Sequence, residues 1–185
     1  RVLFRSKEGK ERIKNIRAAY QQALRWSEES QMGDMTNNSM TINIRRMFGG
    51  SGMQVKTYNF YYNVDDSRTE GTGWQLYFVR VNYNWAARNY QEEYLFDPET
   101  GQLMFSLMQG INVEAGDLYE EGQRCYFFAN GNPCHCTVTR TRMLDGKSKV
   151  TVPPDATSKD CMYVSSALSL AKDIRDIYNQ LVEKY

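Results

Sequence analysis

The residues with the greatest capacity for chemistry lie in one stretch, Arg124–Thr139, which reads RCYFFANGNPCHCTVT. It contains three of the four cysteines of the chain and the only histidine. Thiolates and imidazoles are common zinc ligands, thiols can form disulfides, and buried thiols also pack as small apolar groups. The stretch therefore raises three possibilities: a metal site, a crosslink, or a packed patch.

The dipeptide Asn130-Gly131 favours a two-residue type I′ turn, and the strands on either side of it would then form a hairpin. In that register Cys125 faces Cys136. Alternation of side chains along each strand places Cys134 on the same face as this pair and His135 on the opposite face. The histidine is therefore not expected to bind a metal together with the neighbouring thiols.

Directly opposed residues of this kind lie at roughly 5.5 Å between their Cα atoms, within the range that a disulfide spans. We expect a disulfide between Cys125 and Cys136, which leaves Cys134 to meet Cys161 at the start of the last helix. Two alternatives stay open: four reduced thiols packed in the core, and a four-thiolate zinc site, which the spacing disfavours because it lacks a knuckle pattern. No metal site is predicted.

Catalytic patterns are missing from the sequence. There is no GxSxG elbow, no HExxH and no nucleotide-binding loop. Glu92 and Glu93 would point to opposite faces of a strand, so they do not form a catalytic pair. A hydrolase that uses His135 with a carboxylate is the least favoured hypothesis. The sequence predicts no catalytic residues and no cofactor.

The overall composition is that of a soluble globular protein, with 41% apolar and 24% charged residues. A formal charge of +1 gives no electrostatic reason to expect a nucleic-acid partner or a charged membrane surface. A length of 185 residues fits one domain covering residues 1–185. The aromatic content of 13% favours β-sheet.

The order of the elements follows from hydrophobic periodicity. Apolar residues three or four apart predict a helix over residues 7–29 and another from about residue 161 to the C-terminus. Alternating segments between them predict strands, with a short helical turn expected within residues 110–122 and a connector over 144–157. We therefore predict an α+β fold: one antiparallel sheet of about six or seven strands, packed by an N-terminal and a C-terminal helix, with a cystatin-like or nuclear-transport-factor-like (NTF2-like) architecture as the nearest named form.

Aromatic residues of the first three strands suggest a second kind of site. Their rings could stack on a sugar or another planar-faced ligand in a cavity of the sheet. The candidate ligand-binding residues are Tyr58, Tyr62, Tyr77, Tyr83 and Trp85.

Two hairpin motifs carry a resemblance to known proteins: EYLFDPETGQLMF at residues 93–105, and the pattern RxYFxxNG at residues 124–131. The chain resembles a group of uncharacterised exported proteins and lipoproteins of gut Bacteroidetes, which have a helix, an antiparallel meander of hairpins and a closing helix. The resemblance implies an extracytoplasmic location, in the periplasm or at the cell surface, with membrane tethering through a removed N-terminal lipoprotein signal. We accordingly expect a non-enzymatic binding or structural module with a glycan or protein partner.

Overall fold

The structure is a computed structural model that describes residues 7–31, 38–64 and 74–183. It has the α+β fold predicted from the sequence, with one antiparallel sheet and a helix at each end. The elements are α1 (Lys7–Gln31), β1 (Asn38–Phe48), β2 (Gly52–Val64), β3 (Trp74–Trp85), β4 (Arg88–Phe96), β5 (Leu103–Glu114), β6 (Asp117–Phe127), β7 (Pro133–Arg142), β8 (Ser148–Thr151) and α2 (Met162–Val182).

The eight strands lie in sequential order, and each pairs with the next one along the chain. The hairpin motif at residues 93–105 forms the turn before β5. The amide of Gly101 donates to the carbonyl of Asp97 at 2.7 Å, and Gly101 has a φ of 67°. The predicted helical turn within residues 110–122 is wrong. Ala115 and Gly116 have φ values of 51° and 85°, which suit a tight two-residue hairpin turn, so this segment instead joins β5 directly to β6.

The sheet has eight strands and not the predicted six or seven. The additional strand is β8, which lies in the segment interpreted as a connector and pairs with β7 at the edge of the sheet. All four of its residues are exposed, so its sequence carries no buried-and-exposed alternation. Periodicity therefore gave no signal for it.

The two helices pack on opposite faces of the sheet and produce two separate cores. Ile13 and Ile16 of α1 pack with Phe105 on one face. Val164 and Ile174 of α2 pack on the other. The central strands are thereby covered on both sides. The two faces are named below by the helix that each one carries.

Three bulges interrupt the alternation of the strands. In the first, Tyr61 pairs with Phe78 while Tyr62 pairs with Leu76, so Tyr77 is an extra residue. The result is that two consecutive side chains, Tyr77 and Phe78, both belong to the α1-face core. Equivalent register shifts leave Met104 of β5 and Cys134 of β7 as extra residues.

Candidate functional site

A polar groove of about 680 Å³ lies on the α1 face, beside the part of the sheet that α1 covers. Its walls are formed by residues from five neighbouring strands, β2 to β6, and no described residue of α1 lines it. Five of these residues carry a side-chain amide. We call this feature the amide groove and define it by Asn82, Asn84, Asn89, Gln91, Gln109 and Glu120.

The amides of the groove divide into structural and free groups. Asn84 is structural, since its Oδ1 accepts from the amide of Val55 at 2.7 Å and its Nδ2 donates to the carbonyl of Met53 at 3.0 Å. Asn82, Asn89 and Gln109 make no side-chain hydrogen bond to any other described residue. Their donors and acceptors therefore face the groove.

A second concavity, of about 620 Å³, lies on the same face between α1 and strands β6 and β7. We call it the basic pocket and define it by Arg17 and Gln21 of α1 together with Arg124, Thr137 and Thr139 of the sheet. Its floor is mainly apolar and includes Ile16, Phe105 and Tyr126. The guanidinium carbon of Arg17 lies 5.8 Å from the centre of the Tyr126 ring, a cation–π geometry that restrains this arginine.

Gly122 of β6 connects the two features. It lies between the groove residue Glu120 and the pocket residue Arg124 along the strand, and it is paired with Gln109 of β5. A Cβ placed on Gly122 would lie 3.8 Å from Nη1 of Arg124 and 3.9 Å from Cγ of Gln109. Gly122 is buried, and the side chains of Gln109 and Arg124 meet beside it, so the amide groove and the basic pocket adjoin at this position.

A buried carboxylate supports the sheet beneath α1. Glu93 is 1% exposed and accepts hydrogen bonds from Tyr20 of α1, from Nε of Arg80 at 2.7 Å and from Nε2 of Gln91 at 2.8 Å. Burial, followed by the hydrogen bond to Glu93, raises the pKa of Tyr20 well above its ordinary value. The carboxylate is thus engaged in a structural network and is not open to a ligand.

Glu92, its neighbour, points to the α2 face and is 5% exposed. It accepts a hydrogen bond from the hydroxyl of Tyr94 at 2.9 Å. Burial raises the pKa of Tyr94 and of Tyr83, with the nearby Glu92 carboxylate as a further cause in both. The two glutamates lie on opposite faces as predicted, so they cannot act on one substrate.

His135 lies in the floor of the basic pocket. It is only 6% exposed, and its ring stacks on Tyr126 with 6.4 Å between ring centres. Burial, followed by the charge of Arg17, lowers the pKa of the imidazole below its ordinary value. A buried ring packed on a tyrosine fits a structural role better than proton transfer to a bound substrate.

The hairpin turn between β6 and β7 differs from the predicted type I′ turn. The amide of Phe128 donates to the carbonyl of Asn132, and the amide of Gly131 donates to the carbonyl of Phe128, both at 2.9 Å. Gly131 has a φ of 77°, but Asn130 does not have the positive φ that a type I′ turn requires. The loop therefore contains three residues, which moves the strand register by one position.

The bulge at Cys134 moves the register back by one position, so Cys125 still faces Cys136 as predicted. The same bulge turns Cys134 towards the α1 face, where its Sγ lies 3.8 Å from the carbonyl of Gly9. Cys161 belongs to the core of the α2 face. The predicted meeting of Cys134 with Cys161 is therefore wrong, because the sheet separates them, and a site formed by all four thiolates is excluded for the same reason.

Three thiols do come together on the α2 face. The Sγ atoms of Cys125 and Cys136 lie 3.2 Å apart, and Cys161 belongs to the same core cluster. All four cysteines are free thiols, since a disulfide bond is about 2.05 Å long. The hydrogen bond to Cys125, followed by burial, raises the pKa of the Cys136 thiol. Within the described ranges no group of three or more His, Cys, Asp or Glu side chains could hold a metal ion.

The aromatic residues proposed as a sheet cavity do not converge on one space. Tyr77 faces α1, where its ring meets Trp26 at 5.4 Å, while Tyr58, Tyr62 and Tyr83 belong to the α2 side. Trp85, at the end of β3, is 46% exposed. Of the residues singled out from the sequence, Tyr83 lines the groove and His135 lines the pocket. The remaining residues of both features were missed because they come from separate elements and no local motif marks them.

Comparisons with protein-family models, with curated proteins and with solved structures found no match to this chain. The resemblance to exported Bacteroidetes proteins, the cystatin-like or NTF2-like architecture, the extracytoplasmic location and the lipoprotein tether stay predictions. Neither described helix combines the length and the apolarity that crossing a membrane requires.

Proposed function

We propose that this protein is a non-enzymatic binding module and that the amide groove takes a carbohydrate. The observation that carries the proposal is the set of free amides on Asn82, Asn89 and Gln109, which line one groove without a hydrogen-bonding partner among the described residues. Each primary amide presents donors and an acceptor side by side. Such groups match the adjacent hydroxyls of a sugar ring, which also donate and accept.

The placement of these amides favours recognition of a defined ligand. All three are carried by paired strands of an eight-stranded sheet, so their backbones are held in place before a ligand arrives. Binding is favoured over hydrolysis because Glu120 is the one carboxylate among the described lining residues of the groove, whereas glycoside hydrolysis generally uses a pair of carboxylates. Glu93 and Glu92 are buried in hydrogen-bonded networks on opposite faces, and His135 is buried, which lowers the pKa of its imidazole.

The proposal is tested by titrating the protein with neutral mono- and oligosaccharides and following backbone amide chemical shifts. We expect saturable shifts confined to β3, β4 and β5. Gln109→Ala should weaken binding about tenfold, as expected for loss of one or two hydrogen bonds. Asn112→Ala is the matched control, since Asn112 is an exposed amide on the same strand, but on the opposite face. Equal affinity in the two variants, or no saturable shift with any sugar, would contradict the proposal.

The proposal also places the protein outside the cytoplasm, where the Cys125–Cys136 pair would be oxidised. The support is their direct opposition in the sheet and the 3.2 Å separation of their sulfurs, a gap that small side-chain rotations can close. Alkylation and mass measurement of protein exported to an oxidising compartment should show Cys134 and Cys161 modified and the other two joined. Alkylation of all four thiols in that sample would refute the oxidation.

A further inference from the structure

The arginines of the sheet differ in whether a carboxylate neutralises them. Arg80, Arg140 and Arg142 each pair with a described carboxylate, at nitrogen–oxygen distances of 2.5–2.7 Å. Arg124 is half-buried, yet no carboxylate of the described chain lies within ion-pair distance of it, and the same holds for Arg17. A half-buried cation without an anion is costly, and a bound anion would offset that cost.

Hydroxyl groups lie next to these charges. Thr137 is the direct cross-strand neighbour of Arg124, and Thr139 is the neighbour of Gly122. Both threonines line the basic pocket, and neither hydroxyl is bonded to another described residue. The pocket thus presents charged and neutral donors together above a largely apolar floor, where weak screening strengthens their attraction for an anion.

We propose that the basic pocket binds an oxyanion, namely a carboxylate, a sulfate or a phosphate group of a small molecule. The guanidinium groups of Arg17 and Arg124 contribute the charge, and Thr137 and Thr139 donate further hydrogen bonds. A planar guanidinium can donate two parallel bonds to such a group. The contact with the Tyr126 ring holds the guanidinium group of Arg17 in place before an anion binds.

The junction at Gly122 extends this inference to the identity of the ligand. A molecule seated in the amide groove could place an acidic substituent in the basic pocket, since Gln109 of the groove and Arg124 of the pocket both lie within 4 Å of the Cβ position of Gly122. The ligand class would then be an acidic carbohydrate, such as a uronate or a sulfated or phosphorylated sugar. This extension rests on the proposed carbohydrate function, whereas the oxyanion site itself does not.

The test uses calorimetric titration and thermal unfolding with sodium sulfate, sodium phosphate and sodium galacturonate, each compared with sodium chloride at equal ionic strength. At least one of the three anions should bind saturably and raise the melting temperature. Affinity should fall as sodium chloride is increased, because screening weakens the attraction. The three arms distinguish the source of the oxyanion, and neutral galactose tests the groove separately.

Arg124→Gln and Arg17→Gln should each weaken anion binding about tenfold or more, as expected for loss of a charge-assisted hydrogen bond. Arg46→Gln changes the net charge equally, but lies on exposed strand β1 at the far edge of the sheet, and should bind as the unmodified protein does. Arg17 is an exposed helix residue, so its variant keeps the test valid even where Arg124→Gln fails to fold.

The inference is overturned if none of the three anions binds saturably, or if the pocket variants bind them as tightly as Arg46→Gln does. Anion binding that is lost in the pocket variants supports the site even when galactose fails to bind, because the oxyanion site does not rest on the carbohydrate proposal, which fails only when no neutral sugar binds. Galactose binding without anion binding would overturn the oxyanion site and leave the groove intact.

Discussion

The buried ion pair beneath α1 allows a quantitative test of what holds the first helix to the sheet. Glu93→Gln keeps the shape of the side chain but removes its charge. The oxygen contacted by Nε of Arg80 at 2.7 Å becomes neutral, and one carboxylate acceptor is replaced by an amide donor. Tyr20 and Gln91 also donate to this carboxylate, so the change disturbs three hydrogen bonds at once.

The expected cost follows from burial. Removing one partner of a buried ion pair costs about 3–5 kcal/mol, because the remaining charge is left without compensation. The side chain of Glu93 is 2% exposed, but that of Arg80 is 18% exposed and keeps some contact with water. We therefore expect a loss near the lower limit, about 3 kcal/mol in the free energy of unfolding. For a chain of this size that corresponds to a melting temperature lower by roughly 6–12 °C.

Glu114→Gln is the matched control. It breaks the ion pair with Arg140, whose nitrogen–oxygen distance is 2.5 Å, but whose side chains are 35% and 61% exposed. A surface pair of this kind contributes less than about 1 kcal/mol. Both variants should be measured by urea unfolding and by calorimetry. If Glu93→Gln costs no more than Glu114→Gln, then burial does not decide the strength of this network and the reasoning is wrong.

Two further predictions concern packing and an unpaired hydroxyl. Gly110→Ala should lower the free energy of unfolding by about 2–3 kcal/mol in urea, since its Cβ would lie 2.6 Å from Cε1 of Tyr90 and closer still to Cδ1. Gly49→Ala is the control and should change stability by less than about 0.5 kcal/mol, because nothing lies within 4 Å of its Cβ. Equal effects of the two substitutions would exclude the clash. Tyr77→Phe should leave stability unchanged or raise it by about 1 kcal/mol, because this buried hydroxyl has no described partner. Tyr94→Phe is the comparison and should lower stability by about 1–2 kcal/mol, because it loses a 2.9 Å hydrogen bond to a buried carboxylate. Burial raises the pKa of Tyr77 to about 12, so between pH 10 and 12 the unfolded state ionises first and the stability of the unmodified protein should fall. Tyr77→Phe should reduce that fall. A steeper fall in this variant would contradict the raised pKa of Tyr77.

Local sequence patterns were sufficient to predict those elements whose structure depends on residues close together in the sequence. The apolar spacing predicted both helices, and the turn at Asp97 predicted the β4–β5 hairpin. These features depend on contacts between residues close in sequence, which is the range over which periodicity and turn chemistry act. The edge strand β8 lacks such a pattern and was found only through its pairing with β7.

The strand register that places Cys125 opposite Cys136 was predicted correctly, although the turn from which it was derived was incorrect. The three-residue loop moves the register by one position, and the bulge at Cys134 moves it back. Sequence alternation cannot locate such a bulge, because the extra residue is defined by the partner strand. For the same reason the face of Cys134 and the face of Tyr77 were decided only by the assembled sheet.

The sequence by itself determined the type and order of the elements, the tendency of Cys125 to oppose Cys136, and the opposite orientations of Glu92 and Glu93. The tertiary structure decided how much of the sheet α1 covers, and hence which polar side chains remain accessible to a ligand. Asn82, Gln109 and Arg124 come from different strands, and only the register of the whole sheet brings them to one surface. A site assembled across strands has no local signature, because its geometry depends on pairings between residues that are distant in the chain.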